Sequence, residues 1–153
     1  MYPEGMSQRA TYDDANLVLR LYELRREDKL RAAREWFSRD FKSRSFEEAR
    51  DELPPGSPQN AYFRMVTSYW DMAASMVTSG VLQEDLFFES GYELAGCWEK
   101  IRDIVPELRQ LFGNPGYLKN LEEVARRFER WLEKRSPGSY GVMVSFARGQ
   151  NAG

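Results

Sequence analysis

Six carboxylates, Glu84, Asp85, Glu89, Glu93, Glu99 and Asp103, fall in one short stretch of a chain that contains no histidine. Glu89 and Glu93 stand one helical turn apart, close enough to share a cation. Di-iron sites in helical bundles join such glutamates to a Glu-x-x-His motif, which this composition cannot supply. An oxygen-only Mg²⁺ or Ca²⁺ site is the metal chemistry left open. A solvated acidic face explains the same spacing more simply. The missing histidine also removes Ser–His and Cys–His nucleophilic pairs, His-based zinc sites and a histidine pH switch. We expect no catalytic residues, no metal and no cofactor.

The second chemistry-bearing stretch is basic. Between Arg25 and Arg44 there are eight basic residues against four acidic ones, with Trp36, Phe37 and Phe41 interleaved. Arg25, Arg26, Lys29, Arg31 and Arg34 are the candidates for tracking a phosphate backbone while aromatics stack on bases. The aromatics are, however, spaced as core residues. The segment Gln83–Glu99 carries five acids and no base, and can absorb the positive charge by pairing. Nucleic acid is therefore the third of three functional readings.

The third group is an aromatic and methionine lining: Tyr62, Met65, Tyr69, Trp70, Met72 and Met76, with Phe87, Phe88, Tyr92 and Trp98 further on. Methionine adapts to irregular cavities, and helical bundles open pockets between helices, so these residues are candidates for holding an apolar or aromatic small molecule. A plain core has the same spacing. The lone Cys97 sits beside Trp98 on an inward arc and reads as an inert buried thiol, which suits a reducing compartment.

These residues need elements to hold them, and the stretch from Pro58 to Gly80 organises the rest. At 100° per residue it places Tyr62, Met65, Val66, Tyr69, Trp70, Met72, Ala73, Met76 and Val77 on one broad face. The opposite face holds Arg64 and Asp71 among Thr67, Ser68, Ala74, Ser75 and Thr78. A helix with an oily front and a small, weakly polar rear is suited to neighbours on both sides. An unpaired buried charge is costly, so Arg64 and Asp71 need partners if the rear is covered. Antiparallel pairing about a two-fold axis would set Arg64 of one protomer near Asp71 of its partner, which makes Arg64, Ser68, Asp71 and Ser75 candidate interface residues.

Around this centre the pattern predicts an all-α, single-domain bundle of five or six helices over residues 1–135. Residues 1–10 are expected to fray. Thr11, Asp13 and Asp14 are N-cap candidates, followed by the stripe Leu17, Val18, Leu21 and Leu24. Leu30, Ala33 and Phe37 then fall on nearly the opposite side, which calls for a break at Arg26–Asp28, with Asp28 capping a second helix, or for one bent helix. Ser45 and Glu48 form a capping box, and Ser57-Pro58 restarts the chain as N-cap and N1. A long periodic segment is expected over 84–112, interrupted at Gly91 and either kinked or briefly broken at Pro106, with the kink favoured because the apolar stripe keeps phase. A last helix runs from Pro115 to about Lys134. Residues 136–153 read as a mobile or loosely packed tail, where Val142, Val144 and Phe146 give a weak strand-like alternation.

Residues 15–132 resemble a group of short, uncharacterised bacterial helical proteins that share a domain of unknown function. The resemblance rests on ANLVLRLYELRRE (Ala15–Glu27), NAYFRMVTSYWDMAASMV (Asn60–Val77), EDLFFES (Glu84–Ser90) and PELRQLFGNP (Pro106–Pro115). It implies a helical fold and a bacterial source and carries no catalytic residues with it.

The bulk composition sets the remaining limits. At 153 residues and 42% hydrophobic, the chain can bury an ordinary core. A net charge of −2 gives no global attraction to nucleic acid or anionic membrane. There is no apolar run long enough to span a bilayer and no signal-peptide pattern at the N-terminus. We expect a cytoplasmic protein acting by protein–protein binding as a homodimer. Small-molecule binding is the alternative, and membrane contact is not expected.

Overall fold

The computed structural model describes residues 9–149, so most of the stretch expected to fray and the last four residues lie outside it. Among the described residues there are nine helices and no strand. The all-α reading holds, with more and shorter helices than the periodicity predicts.

The first helix, α1 (Tyr12–Arg25), opens with the predicted cap: Thr11 accepts from the Asp14 N–H, and the Asp14 carboxylate accepts from the Thr11 N–H in return. The chain breaks at Arg26–Glu27, as the phase change requires. α2 (Asp28–Arg39) is capped by Glu27, whose carboxylate accepts from the Leu30 N–H, so Asp28 becomes the first helical residue instead of the cap. α3 (Phe46–Glu52) starts on Ser45 as expected, although Glu48 reaches back to the Arg44 N–H and not to that of Ser45.

The central helix, α4 (Pro58–Thr78), matches its reading at both ends. Ser57 accepts from the Asn60 N–H, Pro58 stands in the first turn, and Gly80 takes φ +82° just past the last turn. It packs against α2 on one side and α8 (Lys119–Arg135) on the other. The two-sided burial is real: Ala73 and Ala74, adjacent in sequence, are both fully covered. The rear is covered in part: Thr67 and Ala74 are buried while Arg64 and Ser68 stay exposed, and its hydroxyls bond within their own helix. Thr67 donates to the Phe63 carbonyl at 2.8 Å, and Ser75 to that of Met72.

The stretch 84–112 is three helices, α5 (Glu84–Phe88), α6 (Tyr92–Ile101) and α7 (Val105–Leu111). Pro106 does not kink a continuous helix. It lies in the first turn of α7, where its missing N–H leaves no bond unmade. The last predicted helix also begins later than Pro115. Asn114 accepts from the Gly116 N–H to close a turn, Leu118 takes a left-handed φ of 58°, and α8 starts at Lys119.

Residues 139–147 do not alternate as a strand. They form a ninth helix, α9 (Ser139–Ala147), which packs on α6 and α8 with Tyr140 buried. With no sheet edge available, this apolar segment satisfies its backbone internally. Arg148 fastens its end by donating to the Glu99 carbonyl at 3.0 Å.

Candidate functional site

A groove of about 590 Å³ opens between α2, α4, α6 and α9. Its floor is apolar: Phe37 from α2, Val66 and Trp70 from α4, and Cys97 from α6. Met143 and Phe146 of α9 close one side, and Arg31, Arg34 and Lys100 bring positive charge to the walls. Gly96 lies opposite Ala147 there, and an added Cβ would already stand 3.6 Å from the alanine methyl. Both residues are small, which lets α6 and α9 approach closely.

Trp70 ties the groove to the core. It is 1% exposed, its indole N–H has no hydrogen-bond partner, and Tyr69 meets it edge-on at 4.8 Å. The Arg25 guanidinium lies over it at 5.4 Å, and Arg25 Nε is a second buried donor without a partner. Buried donors without acceptors are uncommon, and each forfeits part of its hydration on folding.

Glu93 anchors the cationic wall. Arg34 donates to both of its carboxylate oxygens, at 2.6 and 2.7 Å, and Arg25 approaches at 3.5 Å. This fork-to-fork bond raises the Arg34 pKa above its ordinary value. Lys100 caps α2 from outside by donating to the carbonyls of Phe37 and Ser38. It also lies over the Phe37 ring at 5.0 Å. Burial lowers its pKa to about 8, and Lys42 pushes in the same direction. Burial likewise raises the Cys97 thiol well above its ordinary value, so it is an inert wall residue.

Of the residues read as a ligand lining, the fold brings Trp70 and Tyr92 to this groove. Tyr62 packs against Trp36, Phe87 and Trp98 are buried in the core, and Met65 and Met76 are half-buried beside it. Tyr69 donates its hydroxyl to the Leu21 carbonyl, and burial raises its pKa to about 12. Met72 is 38% exposed, off the oily front to which the helical wheel assigns it, while Phe63, left out of that front, is buried. Tertiary neighbours rotate the buried arc by part of a turn.

The basic candidates divide. Arg25 and Arg34 are committed to Glu93, whereas Arg26, Lys29 and Arg31 are exposed. The acidic stretch is neutralised across the fold: Glu89 pairs with Arg135, Glu84 with Arg127, Glu99 with Arg102 and Asp103 with Arg148. Glu89 and Glu93 thus serve different arginines, and no group of three metal-ligating side chains gathers among the described residues.

The interface candidates are also drawn apart. Asp71 reaches across to α8, where its carboxylate accepts from the Leu121 N–H at 3.0 Å. α8 has no cap of its own, so Asp71 serves as one from a distant part of the chain. Arg64 is exposed and donates to Asn60 of its own helix, Ser68 is exposed, and Ser75 is half-buried.

The sequence readings omitted Phe37 and Lys100 as site residues, together with all of α9. One signal was present: residues 139–147 contain no charge at all, which is unusual for a solvent-exposed tail.

Fold and site together define an all-α, single-domain protein with an apolar groove walled partly by arginine and lysine. Residues 10–131 match a family described as a domain of unknown function (DUF4760), and the chain belongs to that family. No curated protein and no solved structure matches it. The match ends before α9, so one wall of the groove comes from outside the family segment. No helix among the described residues is long and apolar enough to cross a membrane.

Proposed function

We propose that this is a binding domain that takes an apolar or aromatic small molecule in the groove between α2, α4, α6 and α9. The observation that carries this reading is the groove itself, about 590 Å³ with Phe37, Val66 and Trp70 along its floor. The cavity volume falls in the range of ordinary ligand sites, and the mixture of apolar floor with a few polar groups is typical of them. The reading extends to the cytoplasm, since a lone buried thiol suits a reducing compartment.

The test is titration with N-phenyl-1-naphthylamine, a neutral probe that brightens in apolar surroundings. Saturable binding at one site is expected, with tryptophan energy transfer that falls in Trp70→Phe. Ser38→Trp should reduce the affinity at least about tenfold, because Ser38 is exposed at the groove mouth and a bulky side chain there obstructs entry without disturbing the core. A non-saturable signal, or unchanged binding in Ser38→Trp, would refute the reading.

A second reading is protein–protein binding as a homodimer, supported by the solvent-facing stripe Arg64, Ser68 and Met72 that α2 and α8 leave uncovered on α4. Asp71 has an intramolecular task, so Asp71→Ala should cost about 1 kcal/mol by uncapping α8 whether or not a dimer forms. Ser68→Arg is the cleaner probe of association. If light scattering gives a dimer mass that Ser68→Arg leaves unchanged, the stripe is not the interface.

A further inference from the structure

A second hollow of about 400 Å³ adjoins the groove. The two share Ser38, Lys100, Phe146 and Ala147 in their walls, so they meet at Lys100 and the end of α9. Their chemistry differs sharply. The first is floored by Phe37, Val66 and Trp70. The second is walled by five basic residues, Arg39, Lys42, Arg44, Lys100 and Arg148, against the single acid Asp103.

Some of that charge is engaged. Arg39 pairs with Glu35 and Asp40, Arg148 lies 3.7 Å from Asp103, and Lys100 holds the end of α2. Lys42 and Arg44 remain. Both are exposed, neither is ion-paired among the described residues, and the Arg44 guanidinium donates only to the Arg148 carbonyl. An apolar trough that runs into a cationic hollow is complementary to a molecule with an oily body and an anionic head.

We propose that the two hollows together bind one soluble amphiphile with a phosphate-class head. Its chain lies along Phe37, Val66 and Trp70, and its head sits between Lys42 and Arg44, beyond Lys100. Several cations around one small space favour a dianion over a single carboxylate, and arginine matches phosphate oxygens with its planar fork. α9 supplies wall to both hollows, through Phe146 and Ala147, and lies outside the family segment. α9 thus contributes wall to the amphiphile site from outside the matched segment.

The inference rests on the apolar groove being a ligand site, and the experiment separates the two claims. The full chain is titrated calorimetrically with decyl phosphate below its micellar concentration, with decanol, and with inorganic phosphate. Decyl phosphate should bind at least about tenfold more tightly than decanol, and inorganic phosphate should not saturate. Lys42→Ala with Arg44→Ala should weaken decyl phosphate about 10- to 100-fold, as expected for lost hydrogen bonds to a charged group, and should move decanol less than about twofold. Phe146→Glu, at a position 70% exposed and so tolerant of charge, should weaken decyl phosphate more than decanol.

If decanol binds as tightly as decyl phosphate and the double variant changes neither, the head-group site is refuted while the apolar groove stands. If neither alkyl compound binds, both claims fail. Inorganic phosphate binding as tightly as decyl phosphate would refute the amphiphile in favour of a simple anion site. So would a single-stranded oligonucleotide that binds more tightly and is lost in the same double variant, in favour of nucleic acid.

Discussion

Trp70→Ala should lower unfolding free energy by about 3–5 kcal/mol in urea denaturation, the largest effect expected of any single change in the groove. Trp70 is 1% exposed and meets Tyr69, the Arg25 guanidinium and the groove floor at once, so truncation leaves a cavity that its neighbours cannot fill. Trp70→Phe should cost far less, about 1–2 kcal/mol. It keeps a ring in place and removes an N–H that has no partner in the folded protein, relieving part of a desolvation penalty. Equal costs for the two variants would show that ring volume at this position does not set stability, and the cavity argument would fall.

Asp14→Ala should cost about 2 kcal/mol, again read from denaturant midpoints. The Asp14 carboxylate is buried and accepts from the Thr11 N–H at 2.7 Å and the Gln83 N–H at 2.9 Å, so one side chain caps α1 and ties it to the start of α5. The Gln83 bond and then the Thr11 bond hold its pKa below the ordinary value of 3.8. A group with a depressed folded pKa contributes stability that is fully present above its unfolded pKa and is lost as pH falls through the folded one. The wild type should therefore lose this contribution in acid, below about pH 4, and keep it at neutral pH. Asp14→Ala should show a shallower decline over the same range. If wild type and variant decline in parallel from pH 5 downward, the carboxylate is not ionised at its two N–H partners.

Both predictions depend on contacts between distant parts of the chain, which is where sequence reading reaches its limit. The α4 caps were legible because each uses residues within one turn: Ser57 answers Asn60, and Gly80 adopts the left-handed conformation that a side chain would oppose. The break at Arg26–Glu27 was legible because the apolar phase reverses there. At Pro106 the kink was favoured over the break that the structure shows, because a kink and a fresh start leave the same apolar phase on both sides of a proline. Only the neighbouring turn at Arg102–Ile104 distinguishes them.

The site was less legible than the fold. Aromatic and methionine residues on α4 share one spacing whether they line a pocket or fill a core, and of that set only Trp70 meets the groove. The basic segment was visible as charge. Which of its members are spent on Glu93 and which remain at the second hollow follows from how α2 lies against α6. Asp71 is the plainest case. Its need for a partner could be read from the chain, but the Leu121 N–H that meets the need is 50 residues away.

By itself, the amino-acid order determined that this protein is helical, that α4 lies at its centre with neighbours on two sides, and that histidine chemistry is absent. These follow from local caps, periodicity and composition, which act over a few residues. The tertiary structure decided where Met72 and Phe63 point, which charges are neutralised, and that an uncharged C-terminal segment folds as α9 to wall a groove. Those outcomes depend on which surfaces meet, because an apolar side chain gains the same free energy from any neighbour that excludes water and so does not name its partner in advance.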